Sequence, residues 1–114
     1  MYRYSAETFI VVRNATWIAS QIPTFISPVC QKVEVFGNDR DVDFGDGRAI
    51  IKPIENGLLF WVGARDFSTY YGIRGVLHGA VYNFAPASGI VINWYDGNGE
   101  PFGSDRSRPA KERA

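Results

Sequence analysis

Cys30 is the only cysteine in the chain, so no internal disulfide can form and a bridge-stapled secreted scaffold is excluded. Histidine is equally scarce. His78 stands alone, with no serine or cysteine near it in sequence. A Ser-His-Asp or Cys-His nucleophile needs a base beside it, and no such pairing is set up here. A zinc site needs about four Cys, His or carboxylate ligands at close spacing, which the chain does not supply. Neither sign of charge is in surplus: Lys plus Arg is 12 and Asp plus Glu is 12. A nucleic-acid binder neutralises phosphate with a basic excess, and so does a protein held on an anionic membrane. No apolar run approaches the roughly 18 residues of a membrane span. The opening MYRYSAETFIVVRN lacks a long apolar stretch with a small-residue cleavage site. The expectation is a cytoplasmic protein with no nucleic-acid or membrane partner, no metal and no cofactor.

Several short patterns resemble sites and fail on their own chemistry. Asp39-x-Asp41-x-Asp43 opens like a calcium loop, but its sixth position is Phe44 where glycine is needed, and its twelfth is Ile50 where glutamate is needed. Gly45-Asp46-Gly47 and Gly97-Asn98-Gly99 are followed by no Lys-Ser or Lys-Thr and open no GxGxxG helix, so they are not phosphate loops. Cys30, in PVCQK, reads as a small buried filler.

What the chain does have is apolar and aromatic mass. Hydrophobic residues are 46% and aromatics 15% of 114 residues, enough for one domain with a real core. Tyr2 to Val12 is β-branched and aromatic and reads as a strand. Asn14 is a candidate helix N-cap, followed by Trp17, Ile18, Ile22, Phe25 and Ile26 at helical spacing. Pro23 should kink or divide that helix, and Pro28 should end it. Lys32 to Phe36 and Arg40 to Phe44 alternate as strands around a Gly37-Asn38-Asp39 turn. Asp66 or Ser68 can cap a second helix running to about Phe84, with Tyr70, Ile73, Leu77, Ala80, Val81 and Phe84 on one apolar stripe. Gly89 to Trp94 reads as a last strand.

Between these lies IIKPIENGLLFWVGA, residues 50 to 64. Asn56-Gly57 predicts a two-residue type I′ hairpin, in which both central residues take positive φ. That register sets Lys52 opposite Trp61 as a cation–π pair. One face carries Ala49, Ile51, Pro53, Leu58, Phe60, Val62 and Ala64 and should be core. The other mixes Ile50, Lys52, Ile54, Leu59 and Trp61, neither clean core nor clean solvent surface.

The fold class predicted is α+β: a two-layer sandwich in β-α-β-β-β-α-β order, with an antiparallel sheet of about five strands and two helices on one face. Residues 1–95 form the domain, and 96–114, rich in Gly, Pro and charge, form a mobile tail.

The second helix holds Gly72, Gly75 and Gly79, each costing about 1 kcal/mol against alanine. At about 100° per residue these and Ser68 fall in one stripe nearly opposite the apolar one, with Tyr71, His78 and Tyr82 along its side. Such a stripe permits close approach of another part of the fold, a second subunit or a flat ligand; the plainer alternative is a poor helix rescued by its core face. The expected interaction surface is Lys52, Trp61, Tyr71, Gly72, Gly75, His78, Gly79 and Tyr82, and the expected partner is a second copy of the chain, with a small-molecule ligand as the other partner the reading admits.

The stretch from FGDGRAIIKPIENGLLFWVGA to the YNFA that ends the second helix, with VINW beyond, resembles a family of small bacterial domains of unknown function. They occur alone or joined to siderophore-interacting, ferric-siderophore reductase proteins. Phe44, Gly47, Ala49, Leu58, Ala64, Phe84, Ala85 and Trp94 fill the family's packing and turn positions, and Lys32, Val33, Glu34 and Val35 resemble the segment after its first helix. The family tends to carry histidines near the end of the first helix and in the second. This chain has Pro28, Gln31 and Ala80 there. The resemblance thus implies the fold, and only an accessory part in iron or siderophore handling.

Three functions follow in order. The first is a non-catalytic binding or homodimerising module. The second is the iron or siderophore role that the resemblance implies. The third is a small enzyme using carboxylates from Asp39 to Asp46 with Tyr71 or His78, which requires those groups to converge.

Overall fold

The structure is a computed structural model describing residues 2–85, 90–97 and 101–102. Six strands and two helices follow one another as β1 (Tyr4–Val11), α1 (Ala15–Ile26), β2 (Lys32–Phe36), β3 (Asp39–Asp43), β4 (Gly47–Ile54), β5 (Gly57–Ala64), α2 (Phe67–Phe84) and β6 (Tyr95–Asp96). A short 3-10 turn, Ser27–Val29, follows α1. The strands form one antiparallel sheet in the order β2-β3-β4-β5-β1-β6, and both helices pack on one of its faces. The α+β reading holds, with one more strand than the expected five.

The core lies between sheet and helices. Ala6, Ile10, Val42, Ala49, Ile51, Leu58, Phe60, Val62 and Ala64 come from the sheet, while Ile18, Ile22, Ile26, Tyr70, Ile73, Leu77, Ala80 and Val81 come from the helices. Both helices bury residues three or four apart, as an amphipathic helix on a sheet requires. Trp17 and Phe25 fall outside the buried stripe of α1. They meet Phe84 edge-on, at centroid distances of 5.8 Å and 5.6 Å, and so tie α1 to the C-terminal end of α2.

Four local expectations are corrected. Pro23 does not divide α1, which runs as one helix from Ala15 to Ile26; the chain gives up one backbone hydrogen bond there and the buried face of α1 carries the helix through. Asn14 occupies the N-cap position of α1 but with φ 58° and without a side-chain cap. Residues 90–94 are not a ladder strand: β6 is only Tyr95–Asp96, and the Thr8 hydroxyl takes the Asn93 carbonyl at 2.5 Å. Alternation survives without the ladder, since Ile90, Ile92 and Trp94 pack on the core while Val91 is exposed. The segment read as tail from residue 96 starts within the sheet, with Asp96 paired to Ala6 and the Gly97 N–H donating to the Ser5 carbonyl at 3.0 Å. Residues 86–89, 98–100 and 103–114 lie outside the described residues.

The hairpin corrects its own turn. Ile54 pairs with Gly57 and Ile51 with Phe60, so the two-residue loop is Glu55-Asn56 and the register moves by two residues. A shift of two keeps every side chain on its face, and Ala49, Ile51, Leu58, Phe60, Val62 and Ala64 of the predicted core face are buried, while Pro53, toward the hairpin end, is only half-buried. Of the expected positive φ pair, only Asn56 has one, at 73°. Gly57 answers to a different demand: a Cβ there would lie 2.3 Å from the Ile10 carbonyl oxygen and 2.7 Å from the Phe9 ring.

Candidate functional site

The register shift dissolves the Lys52–Trp61 pair. Lys52 lies opposite Leu59 and reaches Asp39, Nζ to Oδ2 at 3.1 Å. Trp61 lies opposite Ile50, fully buried on the sheet face away from the helices. Its indole covers Gly63, where a Cβ would come within 2.3 Å of the ring. Tyr2 meets it edge-on at 5.6 Å, and the Arg48 guanidinium sits 5.7 Å from its centroid. Arg48 is held there by a two-pronged pair with Asp41, Nε to Oδ1 at 2.8 Å and Nη2 to Oδ2 at 2.6 Å. That partner also raises the Arg48 pKa above its ordinary value. The cation over Trp61 is therefore Arg48. Trp61 Nε1 is buried with no hydrogen-bond partner among the described residues, and the ring presents no area to a partner molecule.

Asp39, Asp41 and Asp43 share that outer face with Lys32 and Arg48. Tyr71 and His78 belong to α2 on the opposite side of the sheet. The structure does not bring the carboxylates to the tyrosine or the histidine. Among the described residues no group of three or more His, Cys, Asp or Glu side chains is placed to hold a metal ion. Ala80 is buried in the core.

α2 begins at Asp66, whose carboxylate accepts from the Thr69 N–H at 2.8 Å and the Thr69 hydroxyl at 2.9 Å. Those bonds lower the Asp66 pKa. Arg65 turns instead to Asp46, at 3.8 Å. Gly47 lets the helix settle on β4, since a Cβ there would meet the Ile73 and Thr69 side chains at 2.5 Å and 2.9 Å. On the helix face away from the sheet, Gly72, Gly75 and Gly79 have nothing within 4 Å of the position a Cβ would take. Tyr71 and Tyr82 are 48% and 46% exposed, so aromatic rings line one side of an open glycine trough. Intrachain packing, one of the readings of this stripe, is thereby ruled out among the described residues.

Beside the trough, α2 meets residues 90–97. The Trp94 indole N–H donates to His78 Nε2 at 2.7 Å, and Trp94 stacks on Phe60 at 6.4 Å. Burial, and then the nearby Arg74 charge, lower the His78 pKa. The Arg74 guanidinium carbon lies 5.3 Å, 4.9 Å and 5.1 Å from the ring centroids of Tyr70, Tyr71 and Trp94. Next to it a cleft of about 490 Å³ opens between β1, the start of α2 and the end of β6. A broader recess of about 1290 Å³ lies at the start of α1, lined by Trp17, Ile54, Phe84 and Ile90 with Arg13 and Asn14.

Of these residues Tyr71 and His78 were legible as surface candidates. Arg48, Arg74 and Trp94 were not, because each acquires its role only through contacts with residues distant in sequence. Arg74 sat one turn from Tyr70 and one turn from His78, the signal that could have marked it.

No protein-family model matches the chain, and no curated protein matches it. The solution NMR structure of PA4090 from Pseudomonas aeruginosa is similar in fold, with a TM-score of 0.69 over 86% of this chain and 99% of that chain, at 14% sequence identity.

Proposed function

We propose that the chain is a non-catalytic binding module that pairs with a second copy of itself through the outer face of α2. The open glycine trough carries this reading: among the described residues, nothing outside the helix lies within 4 Å of the position a Cβ would take at Gly72, Gly75 or Gly79. Each glycine costs about 1 kcal/mol in a helix interior, and close approach of a partner backbone is what three aligned glycines permit. A two-fold axis sets the same patch against itself, so trough meets trough. Charge does not oppose it. The helix FSTYYGIRGVLHGAVYNF has one fixed charge, Arg74, and that guanidinium is turned among Tyr70, Tyr71 and Trp94. The exposed rings of Tyr71, Tyr82 and Phe67 supply apolar area along one side of the trough.

Thermal melting across about a hundredfold range of concentration tests it. Self-association makes Tm rise with protein concentration, whereas a monomer melts at one temperature throughout. A constant Tm would sink the reading.

A further inference from the structure

The geometry points to a second binding site: the cleft beside Arg74, which we propose takes a small flat anion, an aromatic ring bearing a carboxylate. The cleft is about 490 Å³, within the size range of small-molecule sites. Its lining includes Tyr4, Phe67, Tyr70 and Tyr71 together with two cations, Arg3 and Arg74. The rings form a connected set. Tyr4 meets Phe67 at 5.5 Å and Tyr70 at 5.8 Å, and Phe67 meets Tyr71 edge-on at 4.6 Å.

Arg74 is the informative member. It is half-buried, its guanidinium carbon lies within 5.3 Å of three aromatic ring centroids, and it donates one hydrogen bond, Nη1 to Tyr70 Oη at 3.3 Å. Among the described residues no carboxylate lies within ion-pair distance of Arg74 or Arg3. A guanidinium has five N–H donors in one plane, and stacking on rings leaves that edge for an in-plane acceptor. A carboxylate fits the edge two-pronged, and an attached ring extends over the tyrosines. Asp96 also lines the cleft, which leaves the lining with one net positive charge and disfavours a highly charged ligand. The cleft shares Phe67 and Tyr71 with the edge of the pairing face but none of the trough glycines, so its anion site rests on Arg74 and Arg3 and not on pairing.

Titration of the full chain with benzoate, followed by amide and arginine Nε–H resonances, tests the proposal. Benzoate should give saturable shifts at Arg74 Nε–H and at the amides of Tyr4, Tyr71 and Gly97. Benzamide, the same shape without charge, should bind at least about tenfold more weakly, as should inorganic phosphate, which has charge without a ring. Arg74→Lys keeps the charge but loses the planar fork and should weaken benzoate about tenfold. Arg3→Gln, at an exposed position, should weaken it less and guards against a folding defect in the Arg74 variant. Shifts that do not saturate, that phosphate or chloride reproduces, or that survive in folded Arg74→Lys overturn it. The same titration in Gly75→Leu separates this site from pairing: benzoate binding persists there whether or not the chains associate.

Discussion

Trp94 and His78 share one hydrogen bond, indole N–H to Nε2 at 2.7 Å, and it fixes His78 as the neutral tautomer with its proton on Nδ1. A protonated imidazole has no acceptor to offer and would stand near the Arg74 charge. The contact anchors residues 90–97, which carry Trp94 onto Phe60 and lead into β6.

Acid should therefore weaken the fold through His78. Its folded pKa lies below its ordinary value of 6.5, so its contribution is complete above that value and is lost as pH falls through the folded pKa. Denaturant melts from pH 8 to pH 5 should show a decline beginning near the ordinary histidine range that His78→Gln abolishes. His78→Ala should cost about 1 kcal/mol at neutral pH by orphaning the indole N–H. A parallel pH profile in wild type and His78→Gln would contradict the assignment.

Glycines in this chain should respond oppositely to alanine. Gly57→Ala forces a Cβ against the Ile10 carbonyl at 2.3 Å and should cost about 1–3 kcal/mol. Gly79→Ala meets open space in a helix interior and should gain about 1 kcal/mol where the chain is dilute enough to be monomeric. Urea melts of the two variants check both signs.

Arg48→Met should uncover Trp61. The variant loses the two-pronged pair with Asp41 and the guanidinium over the indole, and should be about 1–2 kcal/mol less stable. Tryptophan emission should shift to the red as water reaches the ring. Unchanged emission would mean that Arg48 does not shield Trp61.

The core was largely legible because burial follows periodicity, and periodicity tolerates small errors. A register shift of two left Ile51, Phe60 and Val62 facing the core. The same shift destroyed the Lys52–Trp61 pair, because a pairwise contact depends on the absolute register. Asn56-Gly57 misled for a related reason. Its glycine is demanded by β1, far away in sequence, and not by the turn. The Arg74 cage was invisible because Trp94 reaches it only once residues 90–97 have folded back beside β1. The glycine stripe was visible, since it lies within one helix; that nothing in the described fold fills it was not.

The central claim is self-pairing through the α2 trough, and solution mass by light scattering of wild type and Gly75→Leu tests it most directly. A wild-type dimer, with a folded monomer for Gly75→Leu, is the result predicted. A wild-type monomer at high concentration, or a Gly75→Leu chain that remains dimeric, would contradict it.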